Sequence, residues 1–263
     1  MLRSLHDLEG YKVTASDGDI GVVQNFLLED EHWMIRYLVA RTDGFFDGRN
    51  VLISPVAFGQ ADWATRRLHV ALTRDKVKQS PSVDTNLPVS RQQERDYYRH
   101  YGSPEYWGYG GMWGGGASPA SLAAQTLSDK AETKRNDASD DVHLRSVAEI
   151  RGYHIQGRDE AIGHLDDLIV DDETWQVRYL VIDTKNWWFG KKVLVAPHWA
   201  SSVSWNERKI HVDMTRDAIK HSPEWAPDAA VNRAYETRLY DYYGRPVYWG
   251  DGEQPAPAHN AFR

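Results

Sequence analysis

Apolar and polar positions alternate most cleanly over residues 33–42. Trp33, Ile35, Tyr37 and Val39 fall on one face, and Met34, Arg36, Leu38 and Ala40 on the other. A two-residue period marks a strand, because successive side chains of an extended chain point to opposite faces. A turn carrying Phe45 and Phe46 follows, then a second strand at Val51–Ile53 that ends at Pro55. The same unit recurs as Trp175–Thr184, a turn with Trp187, Trp188 and Phe189, and Val193–Val195 before Pro197.

The recurrence extends well beyond this hairpin. Residues 5–108 overlay residues 147–250 without a gap at an offset of 142, with about 37 of the 104 aligned positions identical. That period is too long for a solenoid unit and indicates a duplicated domain. In each copy a short strand precedes a turn (Ser16–Asp19; Gly157–Glu160) and a longer run of β-formers from Ile20 or Ile162. Gly21 and Gly163 interrupt that run, as a bulge or a close backbone approach would require. A strand at 68–72 or 210–214 leads to a short helix opened by Thr73 or Thr215 and stopped at Ser-Pro. Residues 90–101 and 232–243 read as longer helices ending at Gly102 and Gly244. The first has a capping-box pattern from Ser90 to Gln93 and a stripe of Glu94, Tyr97, Tyr98 and Tyr101 at three-to-four spacing.

The reading is mainly β with short helices: two tandem small β-barrels, each followed by a helix. Closure is expected because short strands leave vulnerable edges in an open sheet. The boundaries are 1–108 for the first copy and 141–250 for the second. Residues 109–140, Gly-rich and then polar, read as a flexible linker, and 251–263 as a disordered tail.

Composition narrows the choice of function. The net charge of −7 and pI near 5.9 disfavour direct nucleic-acid contact. The absence of Cys excludes disulfides, thiol catalysis and Cys-based metal sites. No apolar run has the length of a transmembrane segment, and the start of the chain does not read as a signal peptide, so a cytoplasmic location is the expectation.

Candidate chemistry is sparse. Asp166-Asp167 and Asp171-Asp172-Glu173 read as solvated acids and not as a metal or acid–base pair. No compact histidine ligand set is present, and the repeated His69 and His211 read as structural. No nucleophile elbow or phosphate loop occurs; Gly110–Gly116 lacks the lysine, strand and helix of one. Neither catalytic residues, nor a metal, nor a cofactor is therefore expected. Arg36 and Arg178 lie mid-strand, either to bind an anion or, as the preferred reading, on the outer face or paired with an acid. The candidate interaction surface is aromatic: Phe45, Phe46, Trp187, Trp188 and Phe189 at the turns, and Tyr98, Tyr101, Tyr240 and Tyr243 on the helices. Bulky aromatics at a hairpin tip need something to cover them.

The order Gly10-Tyr11, Ile20-Gly21, Arg36-Tyr37-Leu38-Val39, Val51–Pro55, Thr73-Arg74-Asp75 and Ser80-Pro81, repeated from Gly152 to Pro223, resembles the PRC-barrel family. That barrel is shared by the cytoplasmic domain of the photosynthetic reaction-centre H subunit and the C-terminal part of a ribosome-maturation factor. Nearest in pattern are bacterial proteins with two such domains in tandem, whose helices end in Tyr-Tyr-Gly and Tyr-Trp segments, as at Tyr242–Gly244 and Tyr248-Trp249. The resemblance implies an adaptor or assembly role with protein partners or self-association. Ribosome or RNA-processing association and a small-ligand-binding barrel are the alternatives.

Overall fold

The computed structural model describes residues 1–43, 48–81, 89–107, 112–114, 116–125, 144–184, 191–227 and 229–249. In chain order the first copy supplies β1 (Leu2–Ser4), α1 (Leu5–Leu8), β2 (Lys12–Ala15), β3 (Gly18–Glu29), β4 (Met34–Thr42) and β5 (Asn50–Ile53). A 3-10 turn, Pro55–Ala57, leads to β6 (Phe58–Asp62), β7 (Arg67–Val70), α2 (Arg74–Lys78) and α3 (Arg91–Tyr101), and α4 (Pro119–Gln125) follows. The second copy supplies β8 (Leu144–Ser146), α5 (Val147–Ile150), β9 (His154–Gln156), β10 (Ala161–Asp171), β11 (Val177–Asp183) and β12 (Lys192–Val195). The turn Pro197–Trp199, β13 (Ala200–Ser204), β14 (Lys209–Val212), α6 (Arg216–His221) and α7 (Arg233–Tyr243) complete it.

The chain forms two compact units. The first-repeat unit contains Asp7–Ala148 and Glu173–Gln176; the second-repeat unit contains Met1–His6, Glu149–Asp172 and Val177–Arg263. The contiguous boundaries read from the sequence therefore miss an exchange. Strand β1 pairs antiparallel with β10, with Leu2 opposite Asp171 and Ser4 opposite Ile169. Strand β8 pairs with β3, with Leu27 opposite Ser146 and Glu29 opposite Leu144. The opening strand of each copy thus belongs to the sheet of the other.

Each exchanged strand is held by the same contacts. In the first-repeat unit, Asn25 Nδ2 donates to Ser146 Oγ at 2.8 Å, and the Ala148 amide donates to Asn25 Oδ1 at 3.0 Å. In the second-repeat unit, Ser4 Oγ and the His6 amide donate to the carboxylate of Asp167, which Arg151 also meets at 3.5 Å. Arg145 pairs with Asp30, and Arg3 with Asp172, at 3.3 and 3.2 Å. The tip of the second hairpin is exchanged as well. The Ile35 amide donates to the Trp175 carbonyl at 2.9 Å, and the Trp175 ring lies 4.8 Å from Phe58 and 6.1 Å from Phe26. Those contacts hold Trp175 at φ 60°, a left-handed conformation that costs a non-glycine residue about 1–2 kcal/mol.

Each sheet has seven strands. The first runs β5-β4-β3-β2-β7-β6 with β8 added on β3, and the second runs β12-β11-β10-β9-β14-β13 with β1 added on β10. The inward residues are almost wholly apolar, with Val13, Ile20, Phe26, Leu38 and Ile53 at 0 % exposure in the first. The expected closure is not reached by hydrogen bonding: among the described residues no ladder joins β5 to β6 or β12 to β13. Pro55 and Pro197 open the 3-10 turns at those corners, and proline has no N–H to give a ladder. The edge at β12 is covered instead, by the Trp225 amide donating to the Lys192 carbonyl at 3.0 Å.

Gly21 and Gly163 mark a close approach. A Cβ on either would lie 2.1 Å from a backbone oxygen, of Arg41 or Asp183 respectively. The stretch read as linker also contains ordered packing: Trp113 and Leu122 are fully buried, and Pro119–Gln125 is a helix.

Two outcomes follow. Gly21→Ala and Gly163→Ala should each cost about 3 kcal/mol in urea unfolding, because the neighbour is backbone and must itself move. Deleting residues 2–4 should raise amide exchange across Ile169–Asp171 and leave Leu27–Glu29 protected. Loss of protection confined to the first-repeat unit would contradict the exchange.

Candidate functional site

Helix α3 is specified locally at both ends. Ser90 Oγ accepts from the Gln93 amide while the Ser90 amide donates to Gln93 Oε1, a capping box, and Gly102 ends the helix at φ 67°. Helix α7 has Asn232 as its cap and Gly244 at φ 60°. Each helix lays one face on its own barrel, and that face carries a buried carboxylate. Glu94 is 0 % exposed and Glu236 is 2 % exposed.

An ionised carboxylate without partners is very costly in a protein interior. Here each has the same three. In the first-repeat unit the hydroxyls of Tyr37 and Tyr106 both donate to Glu94 Oε1 at 3.0 Å, and Arg91 Nη1 donates to Oε2 at 2.9 Å. In the second-repeat unit the hydroxyls of Tyr179 and Tyr248 donate to Glu236 Oε1 at 2.7 Å, and Arg233 pairs with Oε2 at 3.0 Å. Burial pushes the Glu94 carboxyl above its ordinary value, with Arg91, Tyr106 and Tyr37 pulling it back. Burial likewise holds Tyr37 and Tyr106 far above the usual phenol range, so both remain hydroxyl donors.

The cluster continues through stacked arginines. The Arg36 guanidinium lies 3.9 Å from the Tyr106 ring centre and 4.9 Å from that of Trp113, and it donates to Glu29 Oε2 at 3.1 Å and to the Met112 carbonyl. Arg178 lies 4.3 Å from the Tyr248 ring and donates to Asp171 Oδ2 at 3.3 Å. Arg91 covers Trp107 at 4.5 Å, and Arg233 covers Trp249 at 4.0 Å. The repeated Tyr-Trp pair thus has a physical role in each copy. Its Tyr ties the chain after the helix to the helix carboxylate and supports the strand arginine, and its Trp supports the helix arginine. Guanidinium over an aromatic face is favourable, more so when desolvated.

Sequence reasoning left Arg36 and Arg178 either to bind an anion or, as the preferred reading, on the outer face or paired with an acid, and the structure pairs them with Glu29 and Asp171. It did not join Glu94 to Tyr37 and Tyr106. The available signal was that Tyr37, Arg91, Glu94 and Tyr106 all recur unchanged 142 residues on. Of the expected interaction tyrosines, Tyr98 and Tyr240 are 3 % and 1 % exposed, while Tyr101 and Tyr243 are half-buried. Tyr98 meets Tyr37 and Trp107, and Tyr240 meets Trp199 and Trp249, so these two rings fasten helix to barrel and do not present a surface. Phe45, Phe46, Trp187, Trp188 and Phe189 lie outside the described residues.

Glu29, Glu31 and His32 form a trio with metal-ligand spacing. Burial raises the Glu29 carboxyl, but hydrogen bonding from His32 and the charge of Arg36 outweigh it and hold Glu29 below its ordinary range. Its oxygens already accept from the Glu31 and His32 amides, from Arg36 and from the His32 ring. A cation there would face Arg36, and the second copy has Thr174 in place of His32. An open groove of about 550 Å³ also lies on the first-repeat unit, between Val56-Ala57, Leu72-Thr73 and the end of α3 at Tyr101–Pro104. Its lysine, Lys76, donates to the Tyr101 carbonyl at 2.9 Å.

Each unit is thus a mainly β domain with a helix held against its sheet by buried polar groups. A family model of the PRC-barrel domain matches residues 2–77 and 143–219, and the chain belongs to that family, with two copies in tandem. No curated protein matches the chain. The matched spans stop before α3 and α7, so the Glu–Tyr–Arg latch is built largely from residues beyond them. No helix among the described residues is long and apolar enough to cross a membrane.

Removing a single latch hydroxyl, by Tyr106→Phe or Tyr248→Phe, should cost about 1.5–3 kcal/mol in denaturant unfolding, the range for hydrogen bonds to a charged group. The raised Glu94 carboxyl gives a pH test. Its contribution is fully present below the ordinary value of 4.5 and is lost as pH rises through the higher folded value. Relative to Glu94→Gln, which does not titrate, the native chain should therefore lose stability as pH rises from about 4.5. Unfolding midpoints of the two proteins across pH 4–7 check the sign.

Proposed function

We propose that the chain is a non-enzymatic interaction module that holds protein partners, or a second copy of itself, in an assembly. One observation carries this reading. The ionisable cluster repeated in both units, centred on Glu94 and Glu236, has its carboxylate oxygens filled by tyrosine and arginine of the same unit. A general acid or base needs a proton route to a reacting group within hydrogen-bond reach. These carboxylates are 0 % and 2 % exposed and hold a helix in place instead. The PRC-barrel domain is one often involved in interactions, which agrees with that reading. The net charge of −7 favours a protein partner over nucleic acid.

Within the module, the aromatic turns are the proposed contact points. They differ between copies, Phe45-Phe46 in one and Trp187-Trp188-Phe189 in the other, while the strands beside them match closely. The tagged chain, captured from its native host, should retain a stoichiometric protein partner or self-associate in sedimentation. The double variant Trp187→Ala, Trp188→Ala should lose that association with an unchanged unfolding midpoint. If partner and self-association both survive, the aromatic turn is not the contact; if the native chain captures neither, the module reading fails.

A further inference from the structure

The two copies share a site that Trp113 covers in one and that is more exposed in the other. In the first-repeat unit the Arg36 guanidinium is enclosed by two aromatic rings and two acceptors. The Tyr106 and Trp113 ring centres lie 3.9 and 4.9 Å from it and 6.2 Å from each other, the carbonyl before that tryptophan accepts from Arg36, and Glu29 Oε2 accepts from the guanidinium as well. Trp113 is fully buried there, and its Nε1 donates to the Thr174 carbonyl at 2.8 Å. The Arg36 side chain is 3 % exposed and Tyr106 is 4 % exposed.

The second-repeat unit has the same floor. Tyr248 lies under Arg178 at 4.3 Å, Asp171 accepts from it at 3.3 Å, and Glu236 fixes the Tyr248 hydroxyl at 2.7 Å. The cover is absent among the described residues. The Arg178 side chain is 18 % exposed, six times the value for Arg36, and Tyr248 is half-buried. The equivalent positions do not carry a matching tryptophan. At the offset of 142, Met112-Trp113 corresponds to Gln254-Pro255, and the tail has no tryptophan.

We propose that the Arg178–Tyr248 face is a receptor for a tryptophan side chain on an extended, glycine-flanked segment of a partner polypeptide. The indole packs against the Arg178 guanidinium beside the Tyr248 ring, as Trp113 does against Arg36 and Tyr106, and the carbonyl preceding the tryptophan accepts a hydrogen bond from Arg178. The chemistry of the occupant is read from the chain's own segment in the equivalent place: glycines let the backbone come close, and the ring meets a planar cation. The proposal rests on the interaction-module reading and gives it a specific ligand.

The probe is a fluorescein-labelled peptide with the sequence of residues 108–116, which contains Met112 and Trp113, titrated against the full chain by anisotropy. Saturable one-to-one binding is expected, weakened at least tenfold when the peptide tryptophan is replaced by alanine. Arg178→Lys keeps the charge but loses the planar fork, and should weaken binding by a similar factor. Pro255→Trp should supply the lid in cis and abolish binding in trans; it changes a residue outside the matched domains, so it covers the case in which Arg178→Lys fails to fold. Absence of saturable binding by the full chain overturns the proposal, whether the face is inert or filled by the chain's own tail. So does binding indifferent to both variants. Either result leaves the interaction-module reading to be judged by its own partner capture.

Discussion

A carboxylate taken out of water must be met on every side, and two such carboxylates organise this protein. Glu94 and Glu236 sit on the inner faces of α3 and α7, where each binds two tyrosine hydroxyls and one arginine. One tyrosine comes from the central strand of the barrel and the other from the Tyr-Trp segment after the helix. A single buried group therefore fixes the helix against the sheet and the following chain against the helix. Breaking one arm leaves the charge under-satisfied, which costs more than the lost bond alone. The arginines extend the latch by stacking, Arg36 on Tyr106 and Arg178 on Tyr248.

The second constraint is the exchange of opening strands. Position 25 or 167 receives a serine hydroxyl and a backbone amide from the exchanged segment, and position 30 or 172 receives an arginine. In each unit the incoming strand pairs along the end of the longest strand, β3 or β10, and so gives partners to backbone groups that would otherwise form an edge. Neither copy is complete as a contiguous piece of chain. The duplication therefore adds more than a second domain, because each copy supplies part of the other's sheet.

What was legible in the sequence was local or periodic. The alternation at residues 33–42 became β4, and the Ser90–Gln93 pattern became a capping box, because strand pleat and helix cap are decided within a few residues. Gly21 signalled a close approach that the structure places against Arg41. The exchange was not legible for a physical reason. Leu2-Arg3-Ser4 and Leu144-Arg145-Ser146 are identical, so either segment suits either sheet, and pattern alone cannot choose between self and cross pairing. The latch was half legible. Glu94 lay on the expected tyrosine stripe, but Tyr37 is 57 residues away, and only folding brings the two together. Trp113 was hidden by its glycine-rich surroundings, which read as linker although the ring is fully buried.

Strand and helix are coupled through the buried carboxylate. A double-mutant cycle between Tyr37 and Glu94, using Tyr37→Phe, Glu94→Gln and the pair, measures that coupling by urea unfolding. The latch predicts an interaction energy of about 1–3 kcal/mol, in the range for residues sharing one hydrogen-bond network. Additive effects, with an interaction energy within about 0.3 kcal/mol of zero, would contradict it.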